Sequence, residues 1–265
     1  MMILTSINNP RIKEVKNLRE SVARRASGFF IIEGCRELSL ALEAGIAITS
    51  FYFCPEFLGN DIHGQLLARI RNTKVAIFEV SKQVYEKIAY GNRREGLLAV
   101  AKRPHLNLSE TRCKAVPFVV IAEHIEKPGN LGALVRTADG AGADMVIAAD
   151  SVTDTYNPNA VRSSRGAVFT IPVVNTSSEE ALRWLKKNNI KIIAALIEAE
   201  TVYTDIDFKK PFAIVLGSED KGLSSLWKDN ADYRVSIPMA GEADSLNVSA
   251  SAAIVLYEAV RQRNI

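Results

Sequence analysis

Apolar positions in the first hundred residues follow two different periods, which predicts short strands that alternate with amphipathic helices. Residues 8–10, Asn-Asn-Pro, are typical of a helix start, and apolar positions three residues apart follow them. Predicted helices cover residues 8–18, 36–44, 61–71 and 81–89, and predicted strands cover residues 29–33, 46–54, 74–80 and 96–101. This alternation predicts a small three-layer α/β domain over residues 1–105.

Nearly all-apolar runs replace this pattern in the second half of the chain. They follow a polar, proline-containing stretch at residues 103–111, which is the predicted linker. The runs lie at residues 116–122, 145–149, 190–197 and 212–216, with helical patterns at residues 131–140, 159–168 and 179–188. Strands buried on both faces of a parallel sheet have this composition. The second domain, residues 106–265, is therefore predicted to be a parallel sheet with helices on both faces.

The last part of this domain reads as a short strand, a loop and a long helix. The strand covers residues 233–237, and the helix is predicted to run from Ser245 to about Arg261. Small side chains fill positions 249–253 in its first turns, and small side chains allow another backbone or a ligand to approach closely. Ligands of parallel α/β sheets bind beyond the carboxyl ends of the strands, so this stretch is predicted to close a site there.

Polar side chains follow three of the predicted strand ends. Asn130 and Arg136 follow the first, Glu219 follows another, and Ser245 with Asn247 follow the last. A partly enclosed arginine favours an anionic partner such as RNA phosphate, although a structural salt bridge is the alternative; Glu219 fits either a cofactor contact or a helix cap. The group contains no histidine base, cysteine nucleophile or metal-ligand set. It suits group transfer, in which the protein mainly positions the reactants.

Composition narrows the functional classes further. The chain has 265 residues, 48% of them hydrophobic and 24% charged, as in soluble globular proteins. No apolar run reaches the roughly 18–20 residues of a membrane span, and the first six residues do not resemble a signal peptide. Three scattered cysteines and three isolated histidines predict neither a disulfide framework nor a metal site, so a reducing cytoplasm is expected.

Charge is divided unequally between the two predicted domains. Residues 1–105 carry 16 basic and 10 acidic side chains, a net charge of +6, whereas residues 106–265 carry 17 and 20, a net charge of −3. A basic domain suggests a polyanionic partner, although a solvated charged face is the alternative. The candidate RNA contacts are Arg11, Lys13, Arg24, Arg25, Arg93 and Arg94.

Three segments in the second half resemble, in order, the motifs of the SpoU (TrmH) group of SPOUT RNA methyltransferases. The segments are EKPGNLGALVRTADGAGAD, LGSEDKGLS and IPMAGEADSLNVSASAAIVLYEAVRQR. Asp220 and Asp244 are modest departures from these motifs, and RSSRGAVFTIPV at residues 162–173 is similar to the segment between them. The stretch from ITSINNPRIKEVKNLRE to GFFIIEG resembles a small ribosomal-protein-like RNA-binding domain. The resemblance covers nearly the whole chain, and the chain is similar to rRNA enzymes of the thiostrepton-resistance type.

This resemblance implies a trefoil-knotted catalytic domain, bound S-adenosylmethionine and a homodimer. The strand pattern alone does not predict a knot, because knots are rare exceptions among folds. By the same resemblance, the catalytic residues are Arg136, Asn130, Ser245, Asn247 and Glu219, and the residues beside the cofactor are Leu196, Gly217, Ile237, Met239 and Leu246. Arg136 is expected to hold a phosphate and to stabilise charge on the reacting oxygen, with Asn130 orienting it.

The activity that the resemblance implies is methyl transfer from S-adenosylmethionine to a ribose 2′-hydroxyl. We favour 23S rRNA as the substrate, because a separate basic domain suits a structured rRNA element that is read by shape and phosphate contacts. A tRNA substrate and a non-catalytic RNA-binding or ribosome-assembly protein are the alternatives. An ordinary nucleotide-binding α/β enzyme is disfavoured, since no GxGxxG follows a strand and Leu223 stands where a P-loop needs lysine.

Overall fold

The computed structural model describes residues 2–59, 61–91 and 94–263, which form two compact units. The first unit combines the residues up to His105 with the segment Tyr156–Thr170. The second unit contains Leu106–Thr155 and the residues from Ile171 onward. The segment 156–170 therefore belongs to the first unit, although the sequence analysis assigned it to the second domain.

Strands and helices alternate along most of the described chain. The strands are β1 (Met2–Leu4), β2 (Phe29–Glu33), β3 (Ile48–Phe53), β4 (Ala76–Val80), β5 (Leu97–Lys102), β6 (Phe118–Glu123), β7 (Met145–Ala149), β8 (Val173–Thr176), β9 (Lys191–Ala195), β10 (Thr201–Val202), β11 (Phe212–Leu216) and β12 (Tyr233–Ser236). The helices are α1 (Pro10–Asn17), α2 (Ser21–Ser27), α3 (Cys35–Glu43), α4 (Asp61–Arg71), α5 (Lys82–Ile88), α6 (Pro128–Gly140), α7 (Pro158–Ser163), α8 (Ser178–Lys187), α9 (Ser225–Asn230) and α10 (Val248–Arg263). Among the described residues, none of these helices is both long enough and apolar enough to cross a membrane.

The first unit contains a mixed sheet in the order β1-β4-β3-β5-β2. β5 is antiparallel to both of its neighbours, and the other pairs are parallel. One face packs against α1 and α5 through apolar side chains such as Val15 and Val84. Apolar residues of α3, such as Leu38, are buried on the other side of β2 and β5. The unit thus has the three layers that the alternating pattern predicted.

The second unit contains a sheet in which every described strand pair is parallel, in the order β10-β12-β9-β11-β6-β7-β8. Alternate residues of its central strands, such as Val119 and Ile121, pack with α8 and with the buried Trp227 of α9. The opposite face carries Phe118 and Phe212, and α10 crosses it beside α6. Helices therefore cover both faces, as the all-apolar strands predicted.

The last helix runs along the strands, from their amino ends to the carboxyl edge of the sheet. Its end is fixed by Arg263, whose Nε donates to the Phe208 carbonyl at 2.7 Å and whose guanidinium lies about 5 Å from the rings of Phe118 and Phe212. These partners lie at the amino ends of β6 and β11. A helix of 16 residues is about 24 Å long, so α10 begins at the carboxyl edge, where the site is expected.

The differences between expected and observed elements are concentrated in short segments. β1, α2, β8, β10 and α9 were not predicted, because elements of two to seven residues show too few positions to establish a period. The long helix begins at Val248 rather than Ser245, since the Asn247 side chain accepts the backbone N–H of Ser249 at 3.0 Å and starts the helix there.

Arg24 was predicted to contact RNA, and the structure contradicts this. Its side chain is 1% exposed, and its Nη1 donates to the carbonyl oxygens of Leu18 at 2.8 Å and Arg19 at 2.6 Å. These bonds close the turn between α1 and α2, so the guanidinium is not available to a phosphate. Of the other candidate contacts, Arg11, Lys13, Arg25 and Arg94 are exposed, and Arg93 lies outside the described residues.

Candidate active site

The Glu219 carboxylate joins the three loops that the sequence analysis singled out. The Lys127 ammonium donates to its Oε2 at 2.7 Å, and the Asn130 amide donates to its Oε1 at 2.9 Å. The Asn247 amide donates to the same Oε1. Residues that follow β6, β11 and β12 therefore meet at one acceptor beyond the carboxyl edge of the sheet.

Charge makes this junction stronger than a set of neutral hydrogen bonds. The hydrogen bond from Lys127 and the positive charge of its ammonium lower the pKa of Glu219, against the opposing effect of burial. The same hydrogen bond and the Glu219 charge raise the pKa of Lys127. Both groups are consequently charged at neutral pH. Sequence reasoning did not identify Lys127, because its position in a charged loop gave no sign of a partner 92 residues away.

Asn130 lies inside α6 rather than at its cap position. α6 begins at Pro128, with Lys127 at the cap position. Proline suits the first helical position because its φ is already helical and it has no N–H to satisfy. Asn130 is thus the third residue of the helix, and its side chain is free to bond Glu219 and to accept from Asn247 at 3.4 Å.

The loop after β11 is folded back on itself without room for a side chain. A Cβ at Gly217 would lie 2.3 Å from the carbonyl carbon of Gly222. Gly222 has a φ of +63° and donates its N–H to the Ser218 carbonyl at 3.0 Å. The two glycines therefore bring two backbone segments into contact, which places Glu219 at the tip of a tight turn.

A buried carboxylate fixes the far end of this loop. Glu123 is fully buried at the end of β6, and its two oxygens accept the Ser224 N–H at 2.8 Å and the Ser224 hydroxyl at 2.7 Å. The Ser178 hydroxyl donates to it as well, at 3.2 Å. Sequence reasoning missed this anchor. The available signal was a carboxylate directly after an all-apolar strand, since a buried charge requires partners.

A cleft of about 330 Å³ opens beside the loop, between the residues that follow β9, β11 and β12. The residues predicted to contact a cofactor all line it: Leu196, Gly217, Ile237, Met239 and Leu246. Ser245 lines it too. Its acidic side chains outnumber its basic ones, with Glu198, Glu219, Asp220 and Asp244 against Lys221 and Lys228. Glu219 is paired with Lys127 and Glu198 with Lys228, so Asp220 and Asp244 give the lining its acidic surplus. The cleft therefore suits a ligand that is partly apolar and carries positive charge.

Two predicted catalytic residues stand apart from the Glu219 junction. Arg136 is exposed on α6, and within the described residues its guanidinium forms no hydrogen bond or ion pair. The Ser245 side chain likewise has no hydrogen-bond partner in the part of the chain that the structure covers. The hydrogen bonds of Asn130 go to Glu219 and Asn247, so the structure does not show Asn130 orienting Arg136. Among the described residues, no group of three His, Cys, Asp or Glu side chains is arranged to hold a metal ion.

Two family models match this chain. Residues 117–257 match the model described as the SpoU rRNA Methylase family, and residues 9–99 match the MRM3-like substrate binding domain. A curated relative, the 23S rRNA (uridine(2479)-2′-O)-methyltransferase of Streptomyces viridochromogenes, is 32% identical over 247 residues. The matched region covers 91% of this chain and 85% of the relative.

Solved structures resemble the whole chain. The crystal structure of an RNA 2′-O ribose methyltransferase is 40% identical, covers 100% of both chains and has a TM-score of 0.88. That of the SpoU methyltransferase AviRb from Streptomyces viridochromogenes, in complex with the cofactor AdoMet, is 30% identical and has a TM-score of 0.89. It covers 97% of this chain and 99% of its own. These similarities confirm the predicted α/β fold.

We expect Gly217→Ala to destabilise the loop, because its Cβ would overlap the backbone of Gly222. The expected loss in free energy of unfolding is about 1–3 kcal/mol, as for other overpacked sites. Gly241→Ala is the matched control, because nothing lies within 4 Å of a Cβ there and its φ is not in the left-handed region. Urea unfolding of both variants measures the effect. Equal stability of the two variants would show that the loop relaxes without cost.

Proposed function

This chain belongs to the SpoU rRNA methylase family, and from that premise we propose that it transfers a methyl group from S-adenosylmethionine to a ribose 2′-hydroxyl of 23S rRNA. The family model spans residues 117–257, more than half of the chain. The observation that carries the proposal is the junction of Asn130, Glu219 and Asn247 beside the cleft. Each of these residues comes from a different motif of the resemblance.

The cleft fits S-adenosylmethionine in size and in charge. Its volume of about 330 Å³ lies in the ordinary range for small-molecule sites. Gly217 leaves backbone exposed for a close approach, and Ile237, Met239 and Leu246 offer apolar contact. The surplus of carboxylates complements a ligand that carries a sulfonium and an ammonium group. We propose that these residues, with Leu196, hold the cofactor.

The protein's part in the reaction is to position the acceptor and to stabilise charge. When bound, S-adenosylmethionine supplies a methyl group on a positively charged sulfur, which keeps the electron pair of the broken carbon–sulfur bond. The ribose 2′-oxygen forms the new bond to carbon, and its proton passes to solvent. Glu219 holds the Asn130 and Asn247 amides in fixed orientations, so that these amides and Ser245 shape the acceptor side of the cleft.

Arg136 is a charged group without a partner among the described residues, and we propose that it contacts the RNA. Arginine stays protonated in proteins, so it acts as a donor rather than as a base. Its planar guanidinium binds phosphate oxygens in pairs, and a fixed positive charge beside the reacting oxygen lowers the energy of the transition state. We propose that Arg136 binds the phosphate next to the target ribose and stabilises the charge that develops on the 2′-oxygen.

The first unit supplies substrate affinity in this proposal. Residues 9–99 match a substrate binding domain, and Arg11, Lys13, Arg25 and Arg94 are exposed there. We assign these four side chains, with Arg93, to phosphate contacts, which position an RNA without reading its sequence. Residues 106–265, apart from the segment that folds with the first unit, then form the catalytic body. An rRNA substrate implies that the protein works in the cytoplasm.

We also propose that the catalytic body has the knotted chain path of its family and pairs with a second copy. One stripe of α10 supports the pairing: Ala250, Ala253, Ile254 and Tyr257 lie at helical spacing and are not buried. The Tyr257 side chain is 52% exposed. Small side chains beside a large aromatic one suit close packing against a second helix. We propose that this helix belongs to a second copy of the chain.

Mapping of 2′-O-methylation in cells with and without the gene tests the proposed reaction. We expect one methylated nucleotide of 23S rRNA to lose its modification in the deletion strain and to regain it on complementation. A site lost from tRNA while rRNA stays unchanged would overturn the choice of substrate. Unchanged methylation of both RNAs would overturn the reaction itself.

Arg136→Ala should lower the rate of methyl transfer by at least about a hundredfold, as for loss of one group that stabilises a developing oxyanion. The cleft lining is untouched, so calorimetry should give an S-adenosylmethionine affinity within twofold of wild type. Arg183→Ala removes an exposed arginine from α8 and serves as the control. Near-normal turnover of the Arg136 variant would remove this residue from the mechanism.

Tyr257→Arg should convert the dimer to a monomer, because a charge would enter the paired helix surface. Tyr233→Arg is the control, since Tyr233 is similarly exposed, at 48%, but lies on β12. Light scattering on a size-exclusion column measures the mass of each variant. A monomeric wild-type protein, or a Tyr257 variant that stays dimeric, would contradict this pairing surface.

A further inference from the structure

The segment 156–170 changes the charge of the unit with which it folds. It contains two arginines and no acidic residue, so the first unit carries 18 basic and 10 acidic side chains, a net charge of +8. The second unit then carries 15 and 20, a net charge of −5. The structure therefore separates charge more completely than the linear sequence does. A positive field of this kind attracts a polyanion to one body of the protein.

Packing inside the first unit holds both ends of the segment. The Tyr156 and Phe169 rings lie 4.5 Å and 6.1 Å from the fully buried ring of Phe30 on β2. A Cβ at Gly166 would lie 2.8 Å from the Leu40 side chain of α3. The segment is thus fitted closely against β2 and α3, and its conformation is determined by this unit.

This packing presents Arg162 and Arg165 outward. Both residues are exposed, and within the described residues neither guanidinium forms a hydrogen bond or an ion pair. Arg165 has a φ of +52°, which is uncommon for a residue other than glycine. Its carbonyl accepts the Nε of the exposed Arg36 at 3.2 Å. Three arginines of α3, α7 and the following turn therefore share one side of the unit.

Arg162 also adjoins the loop that begins at Gly91. Its Nη1 would lie 3.3 Å from a Cβ at Gly91, and the exposed Arg94 follows in the same loop. Arg162 lines a small surface depression together with Tyr90 and one acidic residue, Glu33. Its carboxylate is buried and accepts the Tyr90 N–H at 2.7 Å.

We propose that Arg36, Arg162 and Arg165 form a phosphate-binding surface for the RNA substrate. The surface lies on the first unit, and two of its arginines come from the segment 156–170, in the methyltransferase half of the sequence. This inference rests on the proposed function and adds the surface that holds the RNA. Guanidinium groups bind phosphate oxygens in pairs. Phosphate contacts position a nucleic acid and do not read its bases, so these arginines set affinity and register rather than the choice of nucleotide.

The double variant Arg162→Ala/Arg165→Ala tests this surface. Binding of an unmodified 23S rRNA transcript is measured at several salt concentrations. We expect at least about a tenfold loss of affinity at 0.1 M salt, and a slope of log K against log salt that is shallower by about 1.4–1.8, as for two lost phosphate contacts. S-adenosylmethionine affinity should stay within twofold of wild type. The double variant Arg162→Gln/Arg165→Gln repeats the test if the alanine variant does not fold.

Arg71→Ala/Lys74→Ala is the matched control, because it removes the same charge from exposed positions at the end of α4 and beyond in the same unit. It should keep the wild-type salt slope. An unchanged slope in the segment variants, or an equal loss in the control, would overturn the surface while leaving the proposed methyl transfer intact. A wild-type protein that neither binds nor methylates the transcript would overturn both.

Discussion

The site depends on one carboxylate that accepts hydrogen bonds from two other loops. A parallel sheet brings the ends of β6, β11 and β12 to a common edge, but it does not fix the side chains beyond that edge. Glu219 does so, because Lys127, Asn130 and Asn247 all donate to it. Its own position depends on the contact between Gly217 and Gly222 and on the Glu123 anchor at Ser224. These hydrogen bonds fix the side chains of the three loops relative to one another, and fixed geometry of this kind favours reactions that depend on the alignment of two substrates.

The net positive charge and the candidate active site lie in different units of the protein. The first unit is strongly basic, whereas acidic side chains outnumber basic ones in the lining of the cleft in the second. A cleft that suits a cationic cofactor would repel an RNA backbone, so affinity for RNA has to come from elsewhere. The basic unit and Arg136 are the parts available for it. This separation explains how one chain can bind a cation and a polyanion without either site weakening the other.

The sequence predicted the large elements and the loops that meet beyond the carboxyl edge of the sheet, because both follow from local signals. All-apolar strands and glycine-containing loops identified the sheet and the loops at Asn130, Glu219 and Asn247. It could not predict the roles of Lys127 and Glu123, since their hydrogen-bond partners lie 92 and 101 residues away along the chain. These hydrogen bonds also depend on the direction of each side chain. It misassigned Arg24 because the local sequence does not show whether a helix arginine points to solvent or back to the carbonyls of the preceding turn. The placement of Tyr156–Thr170 likewise depends on packing against Phe30, which no local pattern shows.

The length of α10 and its late position in the chain have a consequence for the order in which the parts of the fold can form. Chains fold from the amino terminus while synthesis proceeds, yet the first unit lacks a segment until residue 170 has emerged. The second unit lacks part of the cover on one face of its sheet, and Asn247 lacks its helix, until Arg263 is able to reach the Phe208 carbonyl. Until then, the nascent chain leaves one face of β6 and β11 incompletely covered and holds no complete site. Of the described elements α10 is made last, so it completes both the cover of this sheet face and the candidate site.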